Sequence, residues 1–437
     1  MNIVKSSRKT LYILIVTVIL TFFYIDGYCE EKTLTVEECI DIADTNNQEL
    51  ISQGYRIKEM NSKYIQEISN ILPQIDSKIS YLRYGLQLPS KKTLFGESLN
   101  DYYTEISLKQ VLLDGGKNIA KIKSSHSMLI SEKYKYELTK RAVHLSVKKA
   151  YYEQLRAMFG LQIQEELIEK LNQQYNIAQL LYNSGKTSNL DVLKIQTQLA
   201  SAEDALDNLK NLVYTKSLLL GMVMGINEPV NISFNLPEIN ENIKIDTICI
   251  NNEFKDNPEL KYIDELVKKA EYDISAESGE KFPTIFFLTN YFWEDKKFFP
   301  GNSNWYAGVS LSMPLFHSGG IISKINQAKY KKMQVIETEE QVKLNLTVIF
   351  QSALATVIDK LNRLKTTKKV LDLSEETLIA AELKYNSGKI TATELIDAQT
   401  VWLNSKLNYI NNIIDCMLSM AEIESICPEA ISQEVNR

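Results

Sequence analysis

Apolar residues recur at alternating spacings of three and four along two long tracts of the chain. No proline interrupts residues 117–227 or 315–427, so helices can run through both tracts. This spacing is typical of a coiled-coil seam. The first seam, broken only by Gln154 and Gln164, consists of Val143, Val147, Ala150, Gln154, Ala157, Leu161, Gln164, Ile168, Leu171, Tyr175, Ala178 and Tyr182. We predict a helix of about 100 Å over this tract, at about 1.5 Å per residue.

The second tract repeats the first. Tyr-Asn-Ser-Gly-Lys at 182–186 returns at 385–389, a shift of 203 positions. The same shift carries the seam onto residues that run from Leu346 to Tyr385, with Lys360 among them. A repeat of this size predicts two copies of one large structural unit.

Each repeated segment contains the signals that end one helix and begin another. Gly185 and Gly388 can take the left-handed conformation that closes a helix. Threonine and serine follow as candidate N-caps, and Asp191 and Glu394 lie in the next helical turn. We therefore predict two helical hairpins, with tips at 182–190 and 385–393.

Four shorter segments favour β-strands: residues 75–86, 102–113, 284–293 and 304–316. The last alternates most clearly, with Trp305, Ala307, Val309, Leu311 and Met313 on one side. Segments of about ten residues with aromatic ends suit a membrane β-barrel, yet the smallest such barrels have about eight strands. Several chains would have to contribute strands, or else the segments form a small soluble sheet. Aromatic residues suited to an interfacial girdle are Tyr102, Tyr103, Trp293, Phe298, Phe299 and Trp305.

The N-terminus predicts export. Lys5, Arg8 and Lys9 precede an apolar run at 11–24, which is shorter than the roughly 20 residues of a membrane-spanning helix. We predict a signal peptide over 1–29. The cleavage site stays open, and Tyr28 disfavours lipidation of Cys29.

Composition excludes several classes of protein. A net charge of −6 without a basic patch disfavours nucleic-acid binding. The five cysteines form no C-x-x-C pair and are expected to be buried or idle thiols, and the three histidines lie far apart. No nucleophile or phosphate-binding motif is present. We expect no enzyme activity, cofactor or metal site.

The combination of motifs resembles the TolC-like outer-membrane efflux proteins. The motifs are Leu-Thr-Val-Glu-Glu-Cys-Ile-Asp-Ile-Ala at 34–43, the Gly-Gly turns at 115–116 and 319–320, and the paired Tyr-x-x-Gly tips extending to Gln196 and Gln399. The resemblance implies an α+β membrane protein, built from a duplicated β-β-α unit. Three copies would form a twelve-stranded β-barrel in the outer membrane, continued by a coiled-coil helical tunnel across the periplasm.

By this resemblance the protein is the exit duct of a tripartite efflux or type I secretion system. Its partners would be a periplasmic membrane-fusion adaptor, an inner-membrane transporter and outer-membrane lipid. The two repeats would span 30–233 and 234–437. The alternative function is a non-channel periplasmic adaptor or tether built on the same coiled coil.

The resemblance also implies roles for residues of the tips. The pore constriction would carry Glu394 and Asp397, with Asp191 retained in the first copy, where Lys194 replaces the second acid. These acids equally suit helix starts. Ile390 occupies the place of the family's basic latch residue, for which Lys186 or Lys389 could substitute. The adaptor-contacting residues would be Tyr182, Gly185, Lys186, Tyr385, Gly388 and Lys389.

Overall fold

The computed structural model describes residues 33–86, 98–236, 239, 254–298, 301 and 303–430, so the predicted signal peptide and Phe299 lie outside it. Within these ranges the α-helices are α1 Val36–Asn46, α2 Gln48–Ser69, α3 Lys117–Asn183, α4 Asn189–Met224, α5 Pro258–Gly279, α6 Gly320–Asn386 and α7 Ala392–Ile426. The strands are β1 Gln74–Arg83, β2 Asn100–Leu113, β3 Thr284–Asp295 and β4 Ser303–Ser312. A short 3₁₀ helix, Pro428–Ala430, follows α7.

The strands form one antiparallel sheet in chain order, β1-β2-β3-β4. β4 ends at Ser312 and does not reach residue 316 as predicted. Pro314 has no amide hydrogen to donate to the ladder, which explains the early end. β1 likewise ends at Arg83, before the predicted residue 86.

The register separates the strand side chains into an apolar and a polar face. Ile79 pairs with Thr104, which pairs with Trp293, on the apolar face. Large side chains there are 45% to 80% exposed in the single chain: Ile75, Ile79, Ile106, Val309 and Leu311. The polar face holds Asp76, Lys78, Ser80, Glu105, Ser107, Lys109, Asn290 and Ser310. An exposed apolar surface of this kind marks contact with a membrane or another protein.

Aromatic side chains gather on the apolar face towards the end of the sheet distant from α3. The rings of Tyr81 and Tyr102 lie 4.8 Å apart, and those of Tyr291 and Trp293 lie 4.6 Å apart. Tyr103 was wrongly grouped with them, because successive side chains of a strand point to opposite faces. Its hydroxyl donates to Glu105 on the polar face.

The helices pack side by side around two central rods, α3 and α6, each 67 residues and therefore about 100 Å long. Near the sheet, α2 and α5 pack on α3, and α5 also packs on α6. Farther from the sheet, α4 packs on α3, while α7 packs on both α6 and α3. Thus α7 joins the second hairpin to the first.

The predicted seams are the buried stripes of the two rods, apart from the first-seam end at Tyr182. Val147, Leu171, Phe350 and Leu378 are almost fully inaccessible. The polar interruptions are paired. Gln154 and Gln164 donate amide hydrogens to the carbonyls of Val230 at 2.8 Å and Ala202 at 2.9 Å, and Lys360 donates to Asp415 at 2.7 Å. The amide nitrogens of Gln154 and Gln164 thus have partners, whereas Gln154 Oε1 has none among the described residues.

Corresponding elements of the two halves have nearly equal lengths. α2 and α5 each have 22 residues, while α4 and α7 have 36 and 35. Both rods begin after a left-handed glycine, Gly116 with φ of 81° and Gly319 with φ of 82°. The same local signals therefore produce the same elements twice.

Cys39 and Cys416 are buried free thiols, as expected, but Cys427 is disulfide-bonded, so that expectation was wrong for it.

Among the described residues no group of three or more His, Cys, Asp or Glu could hold a metal ion. In the same residues, α6 alone is long and apolar enough over one window to cross a membrane, and 22% of that window is buried.

Candidate gate at the hairpin tips

The first hairpin turn is closed by two backbone hydrogen bonds. The amide of Gly185 donates to the carbonyl of Tyr182, and that of Lys186 donates to Leu181, both at 2.9 Å. Gly185 has φ of 72°. This is a Schellman motif, which needs a residue in the left-handed region at this position and therefore favours glycine.

The second turn repeats the motif. Gly388, with φ of 70°, donates to the carbonyl of Tyr385 at 2.8 Å, and Lys389 donates to that of Lys384 at 2.9 Å. A Cβ added to either glycine would meet nothing within 4 Å. Within one protomer the turns therefore need glycine for its backbone conformation and not for space.

Asp191 lies at the start of α4 and is held by hydroxyl groups. Its Oδ2 accepts from Thr187 Oγ1 at 2.7 Å and from Ser188 Oγ at 3.0 Å. Ser188 is the N-cap, and its hydroxyl accepts from the Asp191 amide at 3.3 Å. These bonds, the one from Thr187 foremost, lower the pKa of Asp191 below its usual value, so the group stays ionised.

Glu394 occupies the equivalent place in α7 and completes a capping box. Its Oε2 accepts from the backbone amide of Thr391 at 2.7 Å and from the Thr391 hydroxyl at 3.0 Å, while that hydroxyl accepts from the Glu394 amide at 3.3 Å. The Thr391 amide is the main cause of the lowered pKa of Glu394. Asp397, one turn later, is exposed. The helix-start role considered for these acids is therefore present at both tips.

One side chain crosses directly between the tips of a protomer. Lys194 Nζ donates to Thr393 Oγ1 at 2.9 Å. The side chains of Lys186 and Lys389 make no hydrogen bond or ion pair within the described part of the chain. Lys194 was noted in the sequence only as a departure from the acidic pattern, so its bonding role was missed.

A buried amide pair joins α3 to α7 above the tips. Gln399 Nε2 donates to Gln174 Oε1 at 2.5 Å, and the two residues are 2% and 4% exposed. Gln399 Oε1 has no hydrogen-bond partner among the described residues. Gln196, which corresponds to Gln399 in the first copy, is exposed. Sequence comparison marked the two positions as equivalent but gave no sign of Gln174.

The repeated tyrosines have opposite environments. Tyr385 is 2% exposed, in an apolar core with Ala178, Val192 and Leu395, whereas Tyr182 is 46% exposed. Burial raises the pKa of the Tyr385 phenol, with a smaller effect from the charge of Asp191. The Tyr385 hydroxyl has no hydrogen-bond partner among the described residues.

Trp402 of α7 anchors the second hairpin on the first. It is 1% exposed, and the ammonium groups of Lys170 and Lys406 lie 5.5 Å and 5.0 Å from its ring centre. Lys406 also pairs with Glu166 of α3. Cations over an indole face add attraction to the burial of the ring.

Comparison with protein families gives one clear match. The family model described as "Outer membrane efflux protein" matches residues 39–225 and 249–413, which together cover most of the chain. One matched range lies in each half of the duplication.

Curated relatives have low identity but long alignments. The chain is 20% identical over 380 residues to the probable efflux pump outer membrane protein TtgC of Pseudomonas putida, covering 83% of this chain and 76% of the relative. It is 21% identical over 433 residues to the cation efflux system protein CusC of Escherichia coli K12, covering 91% and 87%. To the outer membrane protein TolC of the same strain it is 21% identical over 313 residues, covering 66% and 62%.

Solved structures share the fold. A CusC structure superposes with a TM-score of 0.79 at 16% identity, over 90% of this chain and 91% of the other. The CmeC outer membrane channel of Campylobacter jejuni gives 0.78 at 17% identity, over 92% and 87%.

Proposed function

The chain belongs to the outer membrane efflux protein family, and on that premise we propose that it is the exit duct of a tripartite export system. It lies in the outer membrane, and its helices extend into the periplasm. Its relatives are efflux channels and not enzymes, which fits a role without catalysis. Family membership favours the duct over the alternative of a periplasmic adaptor or tether.

The open sheet is the observation that carries the proposal. β1 and β4 are edge strands of the described sheet, and one face is apolar and exposed. Unsatisfied strand edges are not tolerated in a membrane unless the sheet closes on itself. Three copies, with β4 of one pairing to β1 of the next, would give a closed barrel of twelve strands and turn the apolar face to lipid.

The helices leave apolar edges that would support the same trimer. On α4, Tyr214 and Met222 are 58% and 64% exposed, and on α6, Leu344 and Val348 are both 64% exposed. α4 and α6 lie on opposite sides of the protomer, because α3 and α7 pack between them. Contact of α6 with α4 of the next copy would bury both edges, and it accounts for the apolar window of α6.

The tips would form the gate. Glu394 is exposed and stays ionised at neutral pH, and exposed Asp397 lies three residues later on the same helix. Three copies would set these carboxylates around one axis, with Asp191 at the neighbouring tip. A ring of like charges in a narrow aqueous passage favours cations and repels anions.

The outer surface of each tip would receive a periplasmic adaptor that links the duct to an inner-membrane transporter. The candidate contacts are Tyr182, Gly185, Lys186, Gly388 and Lys389, of which all but Tyr182 belong to the turns themselves. Tyr385 was included among the contacts from the sequence, but its burial makes its role one of positioning the turn.

We also retain two repeats, 30–233 and 234–437, as the units of the duplication.

Planar-bilayer recording tests this function. Purified protein from outer membranes should insert as a channel whose conductance rises when the tips are loosened by Lys194→Ala. The matched control is Lys210→Ala, an exposed lysine of the same helix whose only pairing in the described chain is with Asp207. If the wild-type protein does not conduct under any condition, the proposed duct function is wrong.

A further inference from the structure

Two adjoining cavities lie where the sheet meets the helices. The first, of about 390 Å³, is lined by strand residues of the polar face, Gln74, Lys109, Val111 and Thr284, and reaches Lys121 at the start of α3. The second, of about 540 Å³, lies between α2, α3 and α5 and is also lined by Lys121. Lys121 lines both cavities, and we refer to the two cavities together as the groove.

The groove contains more cations than its own acids neutralise. Lys269 pairs with Asp273 at 2.6 Å, and Lys117 pairs with Glu280 at 2.5 Å. Arg56 also has a carboxylate partner, at 2.6 Å. The remaining lysines of the lining have no carboxylate within 4.0 Å in the described chain: Lys63, Lys109 and Lys121.

The acids that line the groove are already engaged. Asp114 accepts from the backbone amides of Gly116 at 3.1 Å and Asn118 at 2.8 Å, and so offsets the positive end of α3. Glu67 accepts from the side chain of Asn70 at 3.1 Å. Lys63 and Lys121 thus make no ion pair in the described chain, and the lining as a whole is net positive, with Arg56, Lys63, Lys109, Lys117, Lys121 and Lys269 against Glu67, Asp114 and Asp273.

Two methionines are among the residues that line the second cavity. Met60 is 2% exposed, and Met128 lines the same space from α3. Unbranched thioether side chains adapt to varied apolar shapes. A lysine ammonium is a strong donor to phosphate, sulfate and carboxylate groups.

We propose that this groove binds amphiphilic anions, with the anionic group between Lys63 and Lys121 and the apolar portion on Met60 and Met128. The inference rests on the proposed duct in one respect. In that duct the polar face of the sheet lines the passage, so the anion bound in the groove is cargo. The groove is opposite in charge to the acidic tips. Because the acidic tips repel anions, an anionic cargo would reach the groove only when the tips are open, and it would bind there before it enters the barrel.

Isothermal titration of the purified, detergent-solubilised protein with octyl phosphate tests the groove. Lys63→Gln with Lys121→Gln should weaken binding about tenfold, and inorganic phosphate should bind the wild type more weakly than octyl phosphate. The matched control is Lys133→Gln, an exposed lysine of α3 without an ion pair in the described residues, and it should leave binding unchanged. Equal affinity of the double variant and the wild type overturns the proposal.

Two further experiments distinguish cargo binding from a structural defect of the double variant and from binding of a lipid headgroup. Lys63→Arg with Lys121→Arg should keep most of the affinity, and loss of binding there would show that the double variant fails for structural reasons. In nanodiscs of zwitterionic or anionic lipid, cargo binding should have the same affinity, whereas competition by anionic lipid assigns the groove to a headgroup and overturns the cargo reading. Binding by a protein that never conducts would refute the duct and leave the groove standing.

Discussion

The two hairpin tips share five identical residues, the same turn geometry and exposed turns, yet the tyrosine of one tip is buried inside the protomer and that of the other is exposed. Tyr385 is buried because α7 brings the second tip against α3. Tyr182 has no such neighbour in a single chain. An identical local sequence therefore fixes the turn, and the position of the hairpin in the bundle decides which contacts its side chains make.

The two tips also differ in the apolar side chains that they leave exposed. The exposed apolar side chains of the first tip include Leu180 at 70%, Leu190 at 60% and Leu193 at 49%, in addition to Tyr182. The second tip buries its equivalents of Tyr182 and partly those of Leu193. Leu383, the equivalent of Leu180, is 67% exposed as well, so the two tips differ mainly at the tyrosine and at Leu190, whose equivalent is Thr393.

The largest expected effect comes from replacing both turn glycines. Gly185→Leu with Gly388→Leu places a bulky residue at positive φ and puts a side chain on the proposed adaptor surface, although the protomer leaves room for it. Efflux in a deletion strain should be lost, while trimers still assemble. The control is Asn183→Leu with Asn386→Leu, exposed positions in the last helical turn, where efflux should persist. Normal efflux by the glycine variant would contradict the coupling role.

The tyrosines offer a matched pair for stability. Tyr385→Ala opens a cavity in a buried core and should cost about 3 kcal/mol, whereas Tyr182→Ala should cost less than about 1 kcal/mol. Hydrogen exchange of the amides in the last two turns of α6 and α3 measures each loss locally. Equal losses at the two tips would mean that the asymmetry does not exist in the assembled protein.

The glutamines test the buried link between hairpins. Gln174→Leu should destabilise by about 2 kcal/mol, because Gln399 would be left with neither of its amide groups paired, while the double change to leucine should restore most of that loss. Gln196→Leu, at the exposed equivalent of Gln399, should have little effect. Denaturant midpoints of Gln174→Leu, Gln399→Leu and the double variant complete the cycle, with Gln196→Leu as the control. Additive losses would rule out a coupled pair.

The smallest expected effects concern charge at the tips. Glu394→Gln with Asp397→Asn should reduce cation selectivity more than Asp191→Asn does, as measured by reversal potentials in a salt gradient. Because hydrogen bonds from Thr391, the one from its backbone amide foremost, lower the pKa of Glu394, its charge and the selectivity it supports should persist to lower pH than those of an ordinary glutamate. Thr391→Ala removes the hydrogen bond from the Thr391 hydroxyl to Glu394 Oε2, so the loss of selectivity should begin at a higher pH. If Glu394→Gln with Asp397→Asn leaves the reversal potential unchanged, the proposed carboxylate ring is wrong.

Local signals predicted much of the fold. The three-four spacing marked the seam, and Gly185 and Gly388 marked the turns, because helix geometry and left-handed φ depend on residues close in sequence. Pro314 could have indicated the early end of β4. The Gln174–Gln399 and Lys194–Thr393 contacts could not be predicted, since they join residues far apart in sequence. The same limit applies to the burial of Tyr182 and Tyr385, since the four residues that follow each tyrosine are identical.

Native mass spectrometry of the protein extracted from outer membranes tests the central claim most directly, because in the proposed duct further copies close the open sheet edges and cover the apolar helix edges. The account predicts a mass equal to three mature chains and no stable monomer. A monomer that keeps its sheet and remains soluble without detergent would contradict the closed tube and the function assigned to it.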